Sequence, residues 1–306
     1  MRILVLGAGG TGGYFGGMLA RFGADVTFLV RPARAEALAR TGLVIRTPEG
    51  SETVAARTVT AGQLDQRYDV VLLSCKAYGL DGAIADIAPA VGPGTAVVPL
   101  LNGLAHYPAL DRAFGAERVL GGLCHIVASV GPEGEIVRQT ALHRFTVGER
   151  AGGLSDRVRA LAELCAKAPF QTVASDNVIQ AAWEKFSFLA AMAGSTCLMR
   201  ASIGAVVATE DGDAFMRALY GETRAVAQAE GYAPREAAQA EALALLTDPA
   251  SASTASMLRD IEAGRPTEGE HILGDMLRRA RAAGLDTPLL ALARMHVQAY
   301  EVRRRG

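Results

Sequence analysis

Residues 3–13 read ILVLGAGGTGG, a short apolar run that leads directly into five glycines within seven positions. Gly7, Gly9 and Gly12 in this stretch match the pattern GxGxxG. The first glycine of the pattern permits a tight turn, the second lets a pyrophosphate approach the backbone, and the third lets helix and strand pack closely. The helix that follows attracts phosphate through the unpaired N–H groups of its first turn. We therefore expect a dinucleotide to bind the loop formed by Gly7, Ala8, Gly9, Gly10, Thr11 and Gly12.

Strand-like and helical segments alternate through the first half of the chain. A helical pattern at 11–22 is followed by apolar runs at 25–30, 69–74 and 95–100, and this alternation is typical of βαβ units around a parallel sheet. The runs contain few polar residues, as strands do when helices cover both faces of the sheet. The pattern predicts an α/β fold whose N-terminal domain is a Rossmann-like, doubly wound parallel sheet.

Three further strand-like segments, VLGGLCHIVASV, EIVRQT and HRFTVGE, follow from about residue 119. We expect them to extend the sheet in hairpin-like fashion. From about residue 175 the chain is instead rich in alanine, leucine, arginine and glutamate at helical spacing. The sequence thus predicts a dinucleotide-binding domain over residues 1–170 and an all-helical substrate domain over residues 171–306, with a ligand in the cleft between them.

Several helix boundaries can be placed in the second half. Thr267 and Glu268 are expected near the start of a helix that Gly284 ends. Thr287 followed by Pro288 indicates an N-cap residue and a first-turn proline at the start of the last helix.

The composition excludes several classes of protein. The chain has 306 residues, a formal net charge of −1 and 50% hydrophobic residues, which argues against a disordered tail protein, a collagen-like repeat or a polyanion-coating protein. No secretory-signal pattern is present, and no apolar run approaches the ~18–20 residues of a membrane-spanning helix. We therefore expect a cytoplasmic protein that binds neither membrane nor nucleic acid. The four cysteines are scattered without a CxxC pair, so we interpret them as small core residues and expect no metal site.

The end of the second predicted strand indicates which dinucleotide is bound. An NAD site has a carboxylate there for the ribose 2′-hydroxyl, whereas a 2′-phosphate is matched by arginine. The segment DVTFLV is followed by Arg31, with Arg34 three residues later and no acidic residue at the strand end. These residues predict NADP(H). The alternative is that Arg31 is one of many surface arginines, since all but three of the 31 basic residues are arginine.

Two candidate ligand-binding residues follow later strands of the predicted sheet. Lys76 in SCKAY and Asn102 in PLLNG lie just past two apolar runs, at strand ends where open α/β sheets bind ligands. We expect Lys76 to contact a phosphate or ribose of the cofactor, and Asn102 to orient the nicotinamide or a substrate carbonyl. An asparagine before glycine is also ordinary turn chemistry.

The chain resembles the ketopantoate reductases (2-dehydropantoate 2-reductases). The resemblance rests on GAGGTGG, Arg31, SCKAY, LLNG, WEK ending at Lys185, and SMLRDIEAGRPTE at 256–268, and it spans essentially the whole chain in order. It implies that Lys185 is the general acid, which polarises the keto oxygen of the substrate. It also implies that Glu268 is a second catalytic residue, which helps to orient substrate and lysine.

The same resemblance assigns residues of the substrate pocket. It implies that Asn102 touches both nicotinamide and substrate, and that Ser256 touches the substrate carboxylate. Family members commonly carry asparagines four and eight residues after the catalytic lysine, where they line the pocket on one helix face. Leu189 and Ala193 occupy these positions here. The pocket is therefore expected to accept a different or bulkier acid than ketopantoate.

Chemistry independent of the resemblance also favours a lysine. Reduction of a ketone develops alkoxide charge, which an ammonium stabilises and then neutralises by proton transfer. Arginine hardly gives up a proton. The alternative interpretations are a surface cation for Lys185 and a first-turn carboxylate favoured by the helix dipole for Glu268. His125 is a competing acid, which we interpret as a hydrogen-bonded packing residue.

Together these features predict an NADPH-dependent reductase of a 2-oxo acid. The resemblance implies that its nominal reaction converts 2-dehydropantoate to (R)-pantoate on the route to pantothenate and coenzyme A. One alternative is a reductase or dehydrogenase of another branched 2-oxo or 2-hydroxy acid. Another is a redox sensor that binds NADP(H) without turnover, although dinucleotide binding alone requires neither Lys185 nor Glu268. Fold analogy also indicates a possible homodimer through the helical half.

Overall fold

The structure is a computed structural model that describes every residue of Met1–Gly306. The chain forms two compact units. The first unit contains Met1–Leu101 and His106–Val178, and the second contains Asn102–Ala105 and Ile179–Gly306. The short segment Asn102–Ala105 therefore belongs to the second unit by its contacts, although it lies within the first half of the sequence.

The first unit contains twelve strands and five helices. In chain order they are β1 (Arg2–Leu6), α1 (Gly10–Arg21), β2 (Asp25–Leu29), α2 (Pro32–Thr41), β3 (Leu43–Thr47), β4 (Gly50–Val54), β5 (Arg57–Val59), β6 (Val70–Leu73), α3 (Leu80–Ile87), β7 (Ala96–Pro99), α4 (Tyr107–Phe114), β8 (Gly121–His125), β9 (Ala128–Val130), β10 (Ile136–Arg138), β11 (Arg144–Gly148), α5 (Asp156–Cys165) and β12 (Gln171–Ser175).

The second unit is built from helices. In chain order they are α6 (Val178–Met199), α7 (Ile203–Val207), α8 (Gly212–Ala229), α9 (Glu236–Leu246), α10 (Ser256–Glu262), a π-helical turn (Glu270–Gly274), α11 (Asp275–Ala282) and α12 (Pro288–Arg305). No helix of the chain combines the length and the apolar character needed to cross a membrane.

The central sheet of the first unit is wholly parallel. Its strand order is β5-β2-β1-β6-β7, so the order reverses between β1 and β6, as in doubly wound folds. Apart from the exposed Arg2, the middle strands β1 and β6 are apolar and buried, with Ile3, Val5 and Val71 at 0% exposure. The predicted α/β fold, a Rossmann-like parallel sheet followed by a helical region, is confirmed. Because parallel strands end at one edge, the loops after β1, β2 and β6 lie side by side.

The sequence predicted that the later strands extend this sheet. In the structure they form two further sheets instead. β9 and β10 join β3 and β4 in a sheet of order β4-β3-β10-β9, while the third sheet has the order β12-β11-β8. One parallel bridge, Val97 to Val119, leads from the central sheet toward β8. The sequence pattern does not reveal β4 because its first four residues are exposed and include no large apolar side chain.

Glycines in α1 allow the four-stranded sheet to pack closely on this helix. A Cβ at Gly13 would lie 2.8 Å from Cδ1 of Ile136, and a Cβ at Gly17 would lie 2.6 Å from Cδ1 of Ile45. Both isoleucines are fully buried and are partners in the parallel pairing of β3 with β10. These glycines therefore serve packing, beyond the loop that the dinucleotide pattern explains.

The first compact unit extends through Val178, eight residues beyond the predicted domain end at residue 170. The reason is that β12 pairs in parallel with β11 along its whole length, which keeps residues 171–175 in the first unit. The segment QTVAS is only partly buried, so its apolar pattern is too weak to mark it as a strand in the sequence.

The start of α12 differs from its predicted capping. Thr287 is the N-cap residue and Pro288 is the first helical residue, but the Thr287 side chain makes no capping hydrogen bond. Instead, the Glu222 carboxylate of α8 accepts hydrogen bonds from the N–H groups of Leu289 and Leu290, at 3.0 and 2.8 Å. A carboxylate from another helix thus satisfies the free donors of this helix end.

Candidate active site

The glycine loop between β1 and α1 has the geometry that a phosphate-binding turn requires. Gly7 has φ +90°, in the left-handed region, and a Cβ there would lie 2.9 Å from the carbonyl oxygen of Ser74. A Cβ at Gly12 would lie 2.5 Å from the Gly7 carbonyl oxygen, so the helix approaches the strand as closely as glycine allows. A Cβ at Gly9 would meet no atom within 4 Å. The loop is therefore tightly packed at Gly7 and Gly12 and open at Gly9, which fits a phosphate beside Gly9.

The N-terminus of α1 completes this phosphate-binding geometry. Gly9 is the N-cap residue, no side chain caps the first N–H groups, and no acidic residue lies in the first turn. Gly10 and Thr11, the first two helical residues, are partly exposed. The free N–H groups and the positive end of the helix dipole therefore suit the pyrophosphate of a dinucleotide.

Two arginines follow β2, the strand next to β1. Arg31 is exposed and is the N-cap residue of α2. Arg34 is partly buried, and its Nη2 donates a hydrogen bond of 3.2 Å to the carbonyl oxygen of Ala8 in the glycine loop. Burial lowers the pKa of Arg34, and no neighbouring carboxylate offsets this effect. The Arg34 guanidinium is thus a partly desolvated cation held against the loop, an environment that favours an anionic ligand group.

Lys76 lies three residues past β6, the neighbour of β1 on its other side. It is partly buried, and its carbonyl oxygen accepts a hydrogen bond of 2.9 Å from the N–H of Gly79. This short turn stops the strand and places Lys76 at the same sheet edge as the glycine loop. The position is consistent with the predicted contact to a cofactor phosphate or ribose.

In the second unit the structure brings Lys185 and Asn102 into contact. Lys185 lies in the third turn of α6, and its Nζ donates a hydrogen bond of 3.0 Å to Oδ1 of Asn102. Both side chains are partly buried. Gly103, next to Asn102, has φ +77°, a conformation that favours glycine. The turn therefore presents the Asn102 amide to the ammonium in a defined direction.

Neighbouring residues fasten Glu268 to α12. The backbone N–H and the hydroxyl of Thr267 both donate to Oε1 of Glu301, at 2.7 and 2.8 Å. On the other side, a Cβ at Gly269 would lie 2.5 Å from Cγ1 of Val297, so the backbone there runs directly against α12. Glu268 is thus a partly buried carboxylate on a segment held at both flanking residues.

The π-helical turn that follows is also attached to α12. The Glu270 carboxylate accepts hydrogen bonds from Arg294, at 2.9 Å, and from Gln298, at 2.8 Å. Burial raises the pKa of Glu270, but these hydrogen bonds outweigh burial and leave the pKa below its usual value. Turns of π-helix contain an extra residue and are frequent at functional sites.

His271, in this π-helical turn, is a site residue that the sequence analysis did not anticipate. Its ring hydrogen-bonds the backbone of Asn102 and lies within electrostatic range of Glu268. Burial lowers the pKa of His271. The only sequence signal is its position three residues after Glu268, which places both residues within one helical turn. Hydrogen bonds thus connect Lys185, Asn102 and His271, and Glu268 lies within electrostatic range of the histidine.

The remaining predicted substrate residues lie along α6. Leu189 and Ala193 follow Lys185 by about one and two turns on one helix face. Leu189 is partly exposed, whereas Ala193 is buried. Further along this face, the Thr196 hydroxyl accepts a hydrogen bond of 3.3 Å from the N–H of the residue preceding Ser256. Ser256, which is partly exposed, is therefore anchored to α6 about three turns beyond Lys185.

His125 and the cysteines are the other reactive groups considered in the sequence, and most of them lie on a strand or in the core. His125 ends β8 and faces Arg144 in the antiparallel pairing with β11. Cys124, Cys165 and Cys197 are buried, whereas Cys75 is only partly buried. Burial raises the pKa of Cys165 and of Cys197 to about 12, so both stay protonated thiols. Three of the four cysteines thus agree with the interpretation as small core residues.

Two family models match the chain. A model described as ketopantoate reductase PanE/ApbA matches residues 3–152. A second, described as the C-terminal part of ketopantoate reductase PanE/ApbA, matches residues 177–301. The two matches follow each other in sequence and cover most of each unit.

Individual proteins are similar to this chain over nearly its whole length. An uncharacterized oxidoreductase of Bacillus subtilis, YkpB, is 39% identical over 304 residues, which cover 99% of this chain and 100% of that protein. A 2-dehydropantoate 2-reductase of Mesorhizobium japonicum is 29% identical over 96% of this chain and 97% of its own. The crystal structure of 2-dehydropantoate 2-reductase from Methylococcus capsulatus matches with a TM-score of 0.88 and 30% identity, covering 100% of this chain and 98% of that one.

These similarities bear out the sequence-based expectations on enzyme class. They confirm the predicted NADP-dependent oxidoreductase and its cofactor at the level of the family. The chain belongs to the ketopantoate reductase family.

Proposed function

We propose that this protein is an NADPH-dependent reductase of a 2-oxo acid, nominally of 2-dehydropantoate, which it converts to (R)-pantoate. The observation that carries the proposal is the hydrogen bond of 3.0 Å from Lys185 Nζ to Asn102 Oδ1. A lysine that served only as a solvated surface cation would not be held, partly buried, by a neutral amide. The arrangement suits an ammonium that must meet a substrate oxygen in one direction.

Reduction of a keto group requires a hydride at the carbonyl carbon and a proton at the oxygen. NADPH supplies the hydride when it is bound. The Lys185 ammonium donates a hydrogen bond to the keto oxygen, stabilises the negative charge that develops there and then transfers its proton. The lysine regains a proton from solvent, so that each turnover consumes one NADPH and one proton.

Asn102 and Glu268 orient the reacting groups in this proposal. Oδ1 of Asn102 accepts from Lys185, which leaves the two N–H groups of the same amide to donate to substrate or nicotinamide. The Glu268 carboxylate lies on the segment that its neighbours hold against α12, and it orients the lysine and the substrate. The Ser256 hydroxyl donates to the substrate carboxylate.

The first unit supplies the proposed contacts to NADP(H). The N–H groups of the glycine loop and of the first turn of α1 bind the pyrophosphate. Arg31 and Arg34 bind the 2′-phosphate, because a guanidinium matches phosphate oxygens in charge and geometry. Lys76 contacts a phosphate or ribose from the neighbouring strand end.

A second candidate is a reductase of a different 2-oxo acid, with a bulkier or more apolar side chain. Leu189 favours this candidate, because it is apolar and partly exposed one turn from Lys185 on α6. An apolar wall gives no hydrogen bond to the hydroxyl of ketopantoate, and an unpaired buried hydroxyl is costly. An apolar substrate side chain would instead gain from burial against it.

A substrate panel with purified protein tests these candidates. NADPH absorbance should fall on addition of 2-dehydropantoate and of branched or aromatic 2-oxo acids, with kcat/KM as the measure of preference. The second candidate predicts the higher kcat/KM for the apolar acids and a shift toward 2-dehydropantoate in Leu189→Asn. Tight NADPH binding without turnover of any 2-oxo acid would overturn both candidates and support the redox sensor.

Three further expectations accompany the proposed function. If 2-dehydropantoate is the substrate, the product serves pantothenate and coenzyme A biosynthesis. The cytoplasmic location and the homodimer stay predictions, and cell fractionation and analytical ultracentrifugation respectively measure them.

A further inference from the structure

Asn102 is held from two sides within the second unit. Its side-chain oxygen accepts the hydrogen bond of 3.0 Å from Lys185. Its backbone is hydrogen-bonded by the ring of His271. Because that contact favours the protonated imidazole, the ring donates an N–H and the Asn102 carbonyl oxygen accepts it. Asn102 thus accepts hydrogen bonds from both Lys185, the proposed proton donor, and His271.

The π-helical turn fits closely against the turn that carries Asn102. A Cβ built on Gly103 would lie 3.4 Å from both Cδ2 and the carbonyl oxygen of His271, and 3.2 Å from Cδ1 of Ile272. The His271 ring therefore lies beside Gly103 as well as bonding to the Asn102 backbone. Glu270, the preceding residue, ties this turn to Arg294 of α12. The histidine is therefore a fixed support for Asn102.

Burial keeps the His271 imidazole neutral at neutral pH, in spite of the carboxylates around it. Burial lowers the pKa of His271, and the Arg278 charge acts in the same direction. Glu268, the Asn102 carbonyl and Asp275 raise it, but they do not outweigh burial. Asp275 is itself paired with Arg278 at 3.1 Å. A neutral imidazole carries one N–H, and donation of that N–H to Asn102 selects a single tautomer.

We propose that His271 is a positioning residue of the reductase: by holding the Asn102 carbonyl, it fixes the amide that directs the Lys185 ammonium toward the substrate. The inference rests on the proposed function for its kinetic consequence, but the contact chain from His271 through Asn102 to Lys185 does not. His271 is not assigned a proton-transfer step, because its N–H is engaged by a backbone carbonyl.

Three variants of His271 separate positioning from packing. His271→Leu keeps an apolar side chain in place and removes the donor, whereas His271→Asn and His271→Gln each restore an N–H donor near one of the two ring nitrogens. We expect His271→Leu to lower kcat by roughly tenfold, the effect of losing one hydrogen bond that positions Asn102 and, through it, Lys185. The KM for NADPH should stay unchanged, and Asn or Gln should recover most of the lost kcat.

His296→Leu is the matched control. His296 is a second partly buried histidine of the helical unit, and burial also lowers its pKa, but its charged neighbours are Arg200 and Arg303. Loss of this ring should leave kcat and the pH profile of kcat unchanged. If all three His271 variants instead lose kcat and thermal stability in parallel, or if none loses kcat, the positioning role is wrong.

A measurement without turnover distinguishes failure of this inference from failure of the proposed function. The chain has only three lysines, so protein labelled at the lysine side chains gives three NMR signals, and Lys185→Arg identifies one of them. The Lys185 signal should move in His271→Leu, return in the rescuing variant and stay in place in His296→Leu. A Lys185 signal that is unchanged in His271→Leu refutes the inference whether or not a 2-oxo acid is reduced.

Discussion

Lys185 is one of three lysines in a chain that otherwise uses arginine, so a single substitution isolates its chemistry. We expect Lys185→Ala to lower kcat by about 10²- to 10⁴-fold, the usual contribution of a positioned general acid. NADPH affinity should be retained, because the phosphate loop belongs to the other unit. Steady-state kinetics and fluorescence titration measure the two quantities. Lys167→Ala, at an exposed position of the first unit, is the control, and undiminished turnover in Lys185→Ala would remove the catalytic assignment.

Arg34 provides a residue-level test of cofactor preference. Its guanidinium already contacts the carbonyl of Ala8 in the glycine loop, and a charge-assisted hydrogen bond to phosphate contributes about 1.5–3 kcal/mol. Arg34→Ala should therefore weaken NADPH binding by roughly 10- to 100-fold and NADH binding much less. Arg31→Ala should act in the same direction. Arg40→Ala, exposed near the end of the same helix, should affect neither, and equal losses for both cofactors would contradict the 2′-phosphate contact.

Asn102 could be predicted from its position past a strand end, and Lys185 from the resemblance of WEK to the ketopantoate reductases. Their hydrogen bond confirms that the fold brings them together. His271 was missed because its significance depends on the backbone carbonyl of a residue far away in the chain. A lone histidine in a helical pattern has no local feature that distinguishes it from a packing residue.

At the scale of elements, the segment that carries Glu268 depends on a glycine. A Cβ at Gly269 would lie 2.5 Å from Cγ1 of Val297, so Gly269→Ala must push this segment away from α12. We expect a loss of stability of about 1–3 kcal/mol, the usual cost of overpacking, together with a lower kcat because Glu268 moves. Urea unfolding and steady-state kinetics measure both effects.

Gly221→Ala is the matched control for this substitution. A Cβ at Gly221, inside α8, would meet no atom within 4 Å, and alanine stabilises a helix interior by roughly 0.5–1 kcal/mol relative to glycine. It should therefore leave kcat unchanged and stability equal or higher. Full stability and activity in Gly269→Ala would show that the contact with α12 does not position Glu268.

The start of α12 shows which part of an element the sequence can predict. Thr287 and Pro288 stand at the N-cap and first helical positions as predicted, because a proline suits the first turn on local grounds alone. The hydrogen bonds of the cap come from Glu222 on α8. The helix boundary is a local property, whereas its capping partner is a tertiary contact that no sequence window contains.

At the scale of the whole molecule, the parallel sheet was predictable and the two smaller sheets were not. The strands β1, β2, β6 and β7 of the central sheet are largely buried and form continuous apolar runs, which are distinctive in sequence, whereas the edge strand β5 is short and partly exposed. The pairing of β3 with β10 joins distant segments, and β4 is largely exposed. The sequence pattern of a strand does not show which distant strand it pairs with, and an exposed strand such as β4 has no apolar periodicity.

Binding of the cofactor to the folded chain gives a test that does not depend on turnover. A ligand that binds only the native state stabilises it by about 2.7 kcal/mol at a concentration of 100 Kd. NADPH should therefore raise the thermal midpoint, and NADH at the same concentration should raise it less. Arg34→Ala should reduce the NADPH shift toward that of NADH, whereas Lys185→Ala should keep the full shift. A wild-type midpoint that NADPH does not move would refute the proposed dinucleotide contacts, and an NADPH shift lost in Lys185→Ala would show that the lysine acts in cofactor binding.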